Sequence, residues 1–268
     1  MAYETILVEK KDITAVITLN RPAKLNAMNA QMLGEIGQVL AELREDTATR
    51  FVILTGAGKS FSAGADLGVR GATPPEGAQI DSRALEPRLS QMASHDRIRA
   101  YLNLEQITIA AVHGYCLGAG LVFAMESDFI IAAEDALLGV PETNIGSLYT
   151  WGSSARLSRL VGPMWAKHMI MTCQNVTGKE AVSIGLAVQT VPQDKLMDAA
   201  FELVDKIASK SPTAVRLTKK LVNAYTAAGR GDLYVVEPEL VEWSNFSGDS
   251  MEGRKAFREK RQPKFGEV

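Results

Sequence analysis

The feature that most limits the fold of this chain is a change of texture near residue 150. Before it, short apolar runs alternate with stretches of helical period; after it, helical stretches follow one another almost without a break. ITAVITL at 13–19 mixes β-branched residues with a period of two, and with residues 3–9 it predicts a hairpin. Asn29 stands where it can cap a helix whose apolar positions Met32, Ile36, Val39, Leu40 and Leu43 share one face. FVILTG at 51–56 reads as a buried strand. A helix around 86–104, a strand at 107–113, a helix from about 118 and a strand at 129–133 continue the alternation. Strands separated by helices pair in parallel through right-handed crossovers, so this half predicts an α/β spiral. The second half predicts helices at Ser154–Val161, Met164–Thr172, Lys179–Ile184, Lys195–Ala208, Pro212–Ala228, Leu233–Phe246 and Met251–Lys260, interrupted by a strand at 186–191. The one long stretch without a period, roughly 68–84 with Pro74 and Pro75, reads as a loop or lid.

A length of 268 residues suits one large α/β domain with an appendage. With 46% hydrophobic and 22% charged residues and a net charge of -2, neither disorder nor a nucleic-acid partner is expected. The basic cluster Arg254, Lys255, Arg258, Lys260, Arg261 and Lys264 reads as a solvated helical face. Cys116 and Cys173, with no cationic and then apolar N-terminal stretch, point to free thiols in a reducing, cytoplasmic setting. No run reaches membrane-spanning length, so no membrane partner is expected. His95, His113 and His168 have no metal-site spacing and read as structural or exposed.

The stretch GAGKSFSAGADL at 56–67 bears on chemistry. A phosphate-binding loop of the Walker type would need glycine at 53, which is Ile53, and a helix opening at Ser60, where FSAGAD follows instead. A dinucleotide fingerprint fails because Phe61 and Phe123 hold the third glycine positions. A turn carrying Gly64 can instead aim a backbone amide into the crevice beside a strand end. Gly118-Ala119-Gly120, opening a helix after the strand TIAAVHG, can aim a second. Two such amides make an oxyanion hole for an acyl carbonyl; equally, the glycines could serve only close helix packing.

Taken together, LNRPAKLNAMN, GKSFSAGADL, AAVHGYCLGAGLVFAMESD, LLGVPETNIG, RLVGPMWAKHMIMT with EAVSIGLAVQTV, and EGRKAFREKRQPKF resemble the crotonase (enoyl-CoA hydratase/isomerase) superfamily, in family order and over nearly the whole chain. The resemblance implies a ββα spiral core with CoA and oxyanion-hole motifs over 1–195. It implies a helical trimerisation region over 196–268, giving a homotrimer or a hexamer as a dimer of trimers. The substrate would be an acyl-CoA thioester, with no separate cofactor because coenzyme A is part of the substrate. The oxyanion amides fall on Ala65 and Ala119. Coenzyme A contacts fall on Lys24, Leu25 and Ala27, with Ala63, Asp66 and Leu67 around the first amide. Lys24 would neutralise a phosphate or be an ordinary exposed lysine.

Two positions that carry catalytic carboxylates in hydratases of this superfamily fall on Val122 and Glu142. Glu142 is expected in a buried setting that raises its pKa. Valine cannot hold a water for addition to a double bond, whereas moving a double bond asks for one base, so an enoyl-CoA isomerase is expected. A hydratase, dehydratase, thioester hydrolase or decarboxylase with a displaced second group, and a non-catalytic thioester- or RNA-binding member, are the alternatives. Glu126, one helical turn beyond Val122, is expected to sit too deep for catalysis, and Asp128 to cap or pair. Arg70, Glu76, Asp81 and Arg83 on the lid are further polar candidates. Tyr149 and Trp151 are expected to narrow the acyl pocket or favour a ring-bearing acyl group, or simply to pack. The apolar positions Met169, Ile170, Leu221 and Val222 are expected to lie exposed and to drive association.

Overall fold

The computed structural model describes residues 3–68, 85–227 and 248–264. The lid residues Arg70, Glu76, Asp81 and Arg83 and the helix expected at 233–246 lie outside the described residues. Strands β1 (Ile6–Lys11) and β2 (Thr14–Leu19) form the expected hairpin, and β2, β3 (Phe51–Gly56), β4 (Ile107–Val112), β6 (Phe129–Ala133) and β9 (Gln189–Val191) follow in parallel. The six-stranded order is β1-β2-β3-β4-β6-β9.

Both faces of this sheet are covered, which is why its central strands are apolar at most positions on both faces. Alternate residues Ala15, Ile17, Val52, Leu54, Ala110 and Val112 face one side, where they meet α1 (Ala30–Glu45) and α3 (Ala119–Met125). The intervening residues Val16, Ile53, Ile109, Ala111 and Ile131 face the other. There Leu196, Ala199, Ala200 and Val204 of α6 (Leu196–Ala208) seal them. The five apolar positions expected on α1 are its five buried residues, and the Asn29 side chain accepts the Met32 amide. Helix α2 (Leu85–Leu102) precedes β4 as expected.

A second, three-stranded sheet of very short strands was not foreseen: β5 (Tyr115–Leu117), β7 (Leu137–Gly139) and β8 (Val176–Thr177), in the order β5-β7-β8. Strands of two or three residues are too brief to show a period. Helix α4 (Ser153–Thr172) runs through both stretches expected to be separate helices, with the break between them at Gly162, φ 78 and ψ 160, followed by Pro163. Helices α5 (Gly178–Ser183), α7 (Pro212–Ala227) and α8 (Gly248–Arg258) complete the described chain. The strand expected over 186–191 shortens to β9, because Leu186 and Ala187 turn into the core ahead of it.

One expected surface residue is corrected: Met169 is fully buried within α4, on the side that packs into its own core. Leu221 and Val222 are exposed as expected, and Ile170 is half-buried. Asp128 is a structural partner, accepting the Thr108 amide at 2.8 Å and pairing with Lys219 at 2.8 Å, which ties α7 to the sheet. Among the described residues no helix is long and apolar enough to cross a membrane, and both cysteines are free.

Candidate active site

The turn Gly56–Ser60 that resembles a phosphate loop has its polar backbone turned inward. The buried Asn26 side chain donates to the carbonyls of Ala57 (2.9 Å) and Ser60 (2.7 Å), and His113 Nε2 lies 3.2 Å from Gly58 O. A Cβ at Gly114 would meet Lys59 O at 2.0 Å, so two backbones touch there. This is a packed structural turn, and burial lowers the His113 pKa.

The segment beyond it lies between two others. Phe61 and Ser62 donate to the carbonyls of His113 and Tyr115, Ala63 donates to Leu25 O, Gly64 donates to Ser62 Oγ, and Asp66 donates to Met28 O. The Met28 amide returns a bond to Gly64 O. From 61 to 66, Ala65 alone keeps an amide that no described residue takes up. The amide of Ala119, first residue of α3, is likewise unengaged, as the first turn of any helix leaves its amides. The two are neighbours: a Cβ built at Gly64, φ 99, would lie 3.7 Å from Ala119 N.

The short sheet brings the carboxylate to this point. Leu117 of β5 pairs with Gly139 of β7 in parallel, and the Gly118 amide donates to Gly139 O at 3.1 Å. The chain after each strand therefore leaves in the same direction, Gly118-Ala119 from one and Pro141-Glu142 from the other. Glu142 opens a 3-10 turn at Glu142–Ile145, and its Oε1 would stand 2.6 Å from a Cβ at Gly118. Gly118 has φ 48 and ψ -117, so a side chain there would strain the backbone and push the carboxylate away. The 3-10 turn is held from two sides. Thr143 Oγ1 donates to Ile170 O at 2.7 Å, and Gly253 of α8 packs on the Ile145 backbone, where a Cβ would come within 2.5 Å.

These groups line one cavity of about 510 Å³. Of the residues singled out in the sequence, Ala27, Ala63, Ala65, Asp66, Leu67, Ala119, Val122, Glu142, Tyr149 and Trp151 all lie on its wall. Lys24 and Leu25 do not; they are exposed on the 3-10 turn before Asn26. Asp66 is paired with Arg21 at 2.8 Å, and Arg21 also donates to Ala27 O. Glu142 is half-buried as a residue, with its Oε2 buried, on the wall of the cavity. Glu126 is buried at the end of α3, away from the cavity wall, as its place one turn beyond Val122 predicts. Burial, and after it the negative charge of Glu142, pushes the Tyr149 hydroxyl well above its ordinary pKa, so it stays neutral. Burial also pushes up the Cys116 thiol, which is inert core.

The sequence reading missed Leu117, Ile145, Leu148 and Phe257 on the wall. Phe257 comes from α8, whose basic residues Lys255 and Arg258 are solvent-exposed as expected, like Lys260 just beyond it, while Arg261 pairs with Glu252. An exposed phenylalanine among those charges was the available signal. Among the described residues no group of three or more His, Cys, Asp and Glu is placed to hold a metal ion.

The family described as enoyl-CoA hydratase/isomerase matches residues 9–268. A short-chain-enoyl-CoA hydratase of Clostridium acetobutylicum is 36% identical over 98% of this chain and 97% of its own length. A crotonyl-CoA hydratase of Syntrophomonas wolfei is 35% identical over 99% of both. The crystal structure of an enoyl-CoA hydratase from Bacillus anthracis superposes with a TM-score of 0.76 at 33% identity, over 98% of this chain and 99% of that one. The chain is an enzyme of the enoyl-CoA hydratase/isomerase family, within the crotonase superfamily.

Proposed function

We propose that this enzyme moves the double bond of an enoyl-CoA thioester, with Glu142 as the single proton-transfer group and the Ala65 and Ala119 amides as the oxyanion hole. The observation that carries the proposal is Val122, which is 2% exposed and lines the same cavity as Glu142 without any hydrogen-bonding atom in its side chain. Glu142 takes a proton from C2 of a 3-enoyl thioester. The electron pair of that C–H bond spreads into the conjugated system, and the charge settles on the thioester oxygen between the two amides. The Glu142 acid then returns the proton to C4, the double bond forms between C2 and C3, and the carboxylate is restored. An apolar wall at 122 keeps water from the intermediate.

Water addition, the reaction printed in the names of the relatives above, is the second reading. It needs a further group to hold the water. Val122→Glu is expected to create measurable hydration of a 2-enoyl-CoA, followed by loss of the conjugated thioester absorbance. The variant should lose a few kcal/mol of stability, because a polar group enters an apolar wall. A folded variant without hydration would show that position 122 is not what decides between the two reactions.

The same reading extends to assembly. Met164 and Met171 on α4, and Leu217, Leu221 and Val222 on α7, are more than half exposed, and such faces in a monomer are unusual. We propose a homotrimer or a hexamer built on them. Light scattering at micromolar concentration should give three or six times the 29.0 kDa chain mass, and a monomer mass would remove the proposal.

A further inference from the structure

Trp151 is held in a backbone conformation that suits it poorly. With Gly152 it forms the centre of a tight turn closed by the Ser153 amide donating to Thr150 O at 3.2 Å, and both central residues are left-handed, φ 63 and φ 74. Glycine and asparagine are at ease there; a bulky side chain is not. The turn is nevertheless tightly tied. Ser154 Oγ donates to Tyr149 O at 2.7 Å, and the Arg156 amide donates to Gly152 O at 3.1 Å. A strained residue persists where its surroundings over-determine it, and such residues gather at ligand sites.

What the strain achieves is visible in where the indole lies. Trp151 is 5% exposed and Tyr149 4%, and both form wall of the cavity that holds Glu142. Phe257 reaches the same cavity from α8, more than a hundred residues later. Aromatic residues are only 6% of the chain, yet three from two distant segments converge here, beside the branched side chains of Val122, Leu117 and Ile145. Flat aromatic walls are complementary to a flat cyclic group, which can stack on them or meet them edge to face. An extended alkyl chain covers only a strip of such a wall. With three large aromatic side chains on its wall, the cavity still has about 510 Å³, ample for a ring.

We propose that Trp151 determines acyl specificity and that the preferred substrate is a thioester whose acyl group carries a ring, packed against the indole with its reacting carbons at Glu142. This inference rests on the acyl-CoA reading above and names the acyl class within it. Tyr149 supports the wall from the position two residues before.

Binding of unreactive thioesters tests the specificity without requiring turnover. Cyclohexanecarbonyl-CoA and heptanoyl-CoA have acyl groups of equal carbon number, and calorimetry should find the cyclic one bound about tenfold more tightly by the unmodified enzyme. Trp151→Gly suits the left-handed turn and removes the indole, so the cyclic advantage should fall to about one while heptanoyl-CoA binds as before or better. Trp151→Asn, also compatible with that turn, should give the same loss of preference if the glycine variant proves unstable. Equal affinities in the unmodified enzyme, or a cyclic preference that survives in either variant, would overturn the inference and leave the acyl-CoA reading intact. Failure of both thioesters to bind would overturn the acyl-CoA reading along with it.

Discussion

Glu142→Gln is expected to lower turnover on the enoyl-CoA substrate at least a hundredfold while leaving thioester binding within about twofold. The reasoning starts from shape. Glutamine keeps the size of the side chain whose Oε1 stands against Gly118, so neither the Glu142–Ile145 turn nor its support from Thr143 and Gly253 need change. What disappears is the basic oxygen. If Glu142 both takes and returns the proton, no other group among the cavity-lining residues replaces it: Asp66 is paired with Arg21, and burial, the largest cause, keeps Tyr149 neutral without Glu142. Steady-state kinetics together with calorimetric binding of a saturated acyl-CoA would separate the two effects. Equal losses in binding and turnover would mean that Glu142 holds the ligand rather than carrying the proton.

Ala65→Pro should reduce turnover by about two to three orders of magnitude, as loss of one oxyanion donor does. The local bonds make this a clean deletion. The pairing of this segment with Met28 uses the Gly64 carbonyl and the Asp66 amide, so the Ala65 amide has no structural bond to lose. Ala65→Gly keeps the amide and should stay within a few-fold of the parent. A folded Ala65→Pro enzyme with near-parent turnover would show that the carbonyl charge settles elsewhere.

The parallel sheet was legible because β2, β3 and β4 are mostly apolar on both faces and six residues long, enough to show a pattern and to be separated from the helix of α1, whose buried positions Met32 through Leu43 follow the 3.6 period. The glycine turns at Gly64 and Gly118 offered a pair of strand-end amides from the residues alone, but the choice between an oxyanion role and close packing, and the interest of Glu142, came only with the motif resemblance. Their meeting depends on the pairing of Leu117 with Gly139, a three-residue contact with no periodic signature. Met169 misled because on α4 it is one of several apolar residues, Met164, Ile170 and Met171 among them, and the sequence does not say which side of a helix meets its own core. Phe257 and Gly253 stand among the basic residues expected to form a solvated face. Their role follows from where α8 returns to the Glu142 turn, a tertiary contact between residues more than a hundred apart.

One carboxylate facing an apolar position 122 is expected to move a double bond and not to add water. Incubating the unmodified enzyme in ¹⁸O-labelled water with paired 3-enoyl-CoA and 2-enoyl-CoA substrates, linear and ring-bearing, tests it most directly. The 3-enoyl and 2-enoyl isomers should interconvert on the enzyme, and the acyl chain should acquire no label at C3 on the timescale of many turnovers. Rapid ¹⁸O incorporation at C3, as fast as or faster than double-bond movement, would contradict it and identify the enzyme as a hydratase whose water is held by a group other than residue 122.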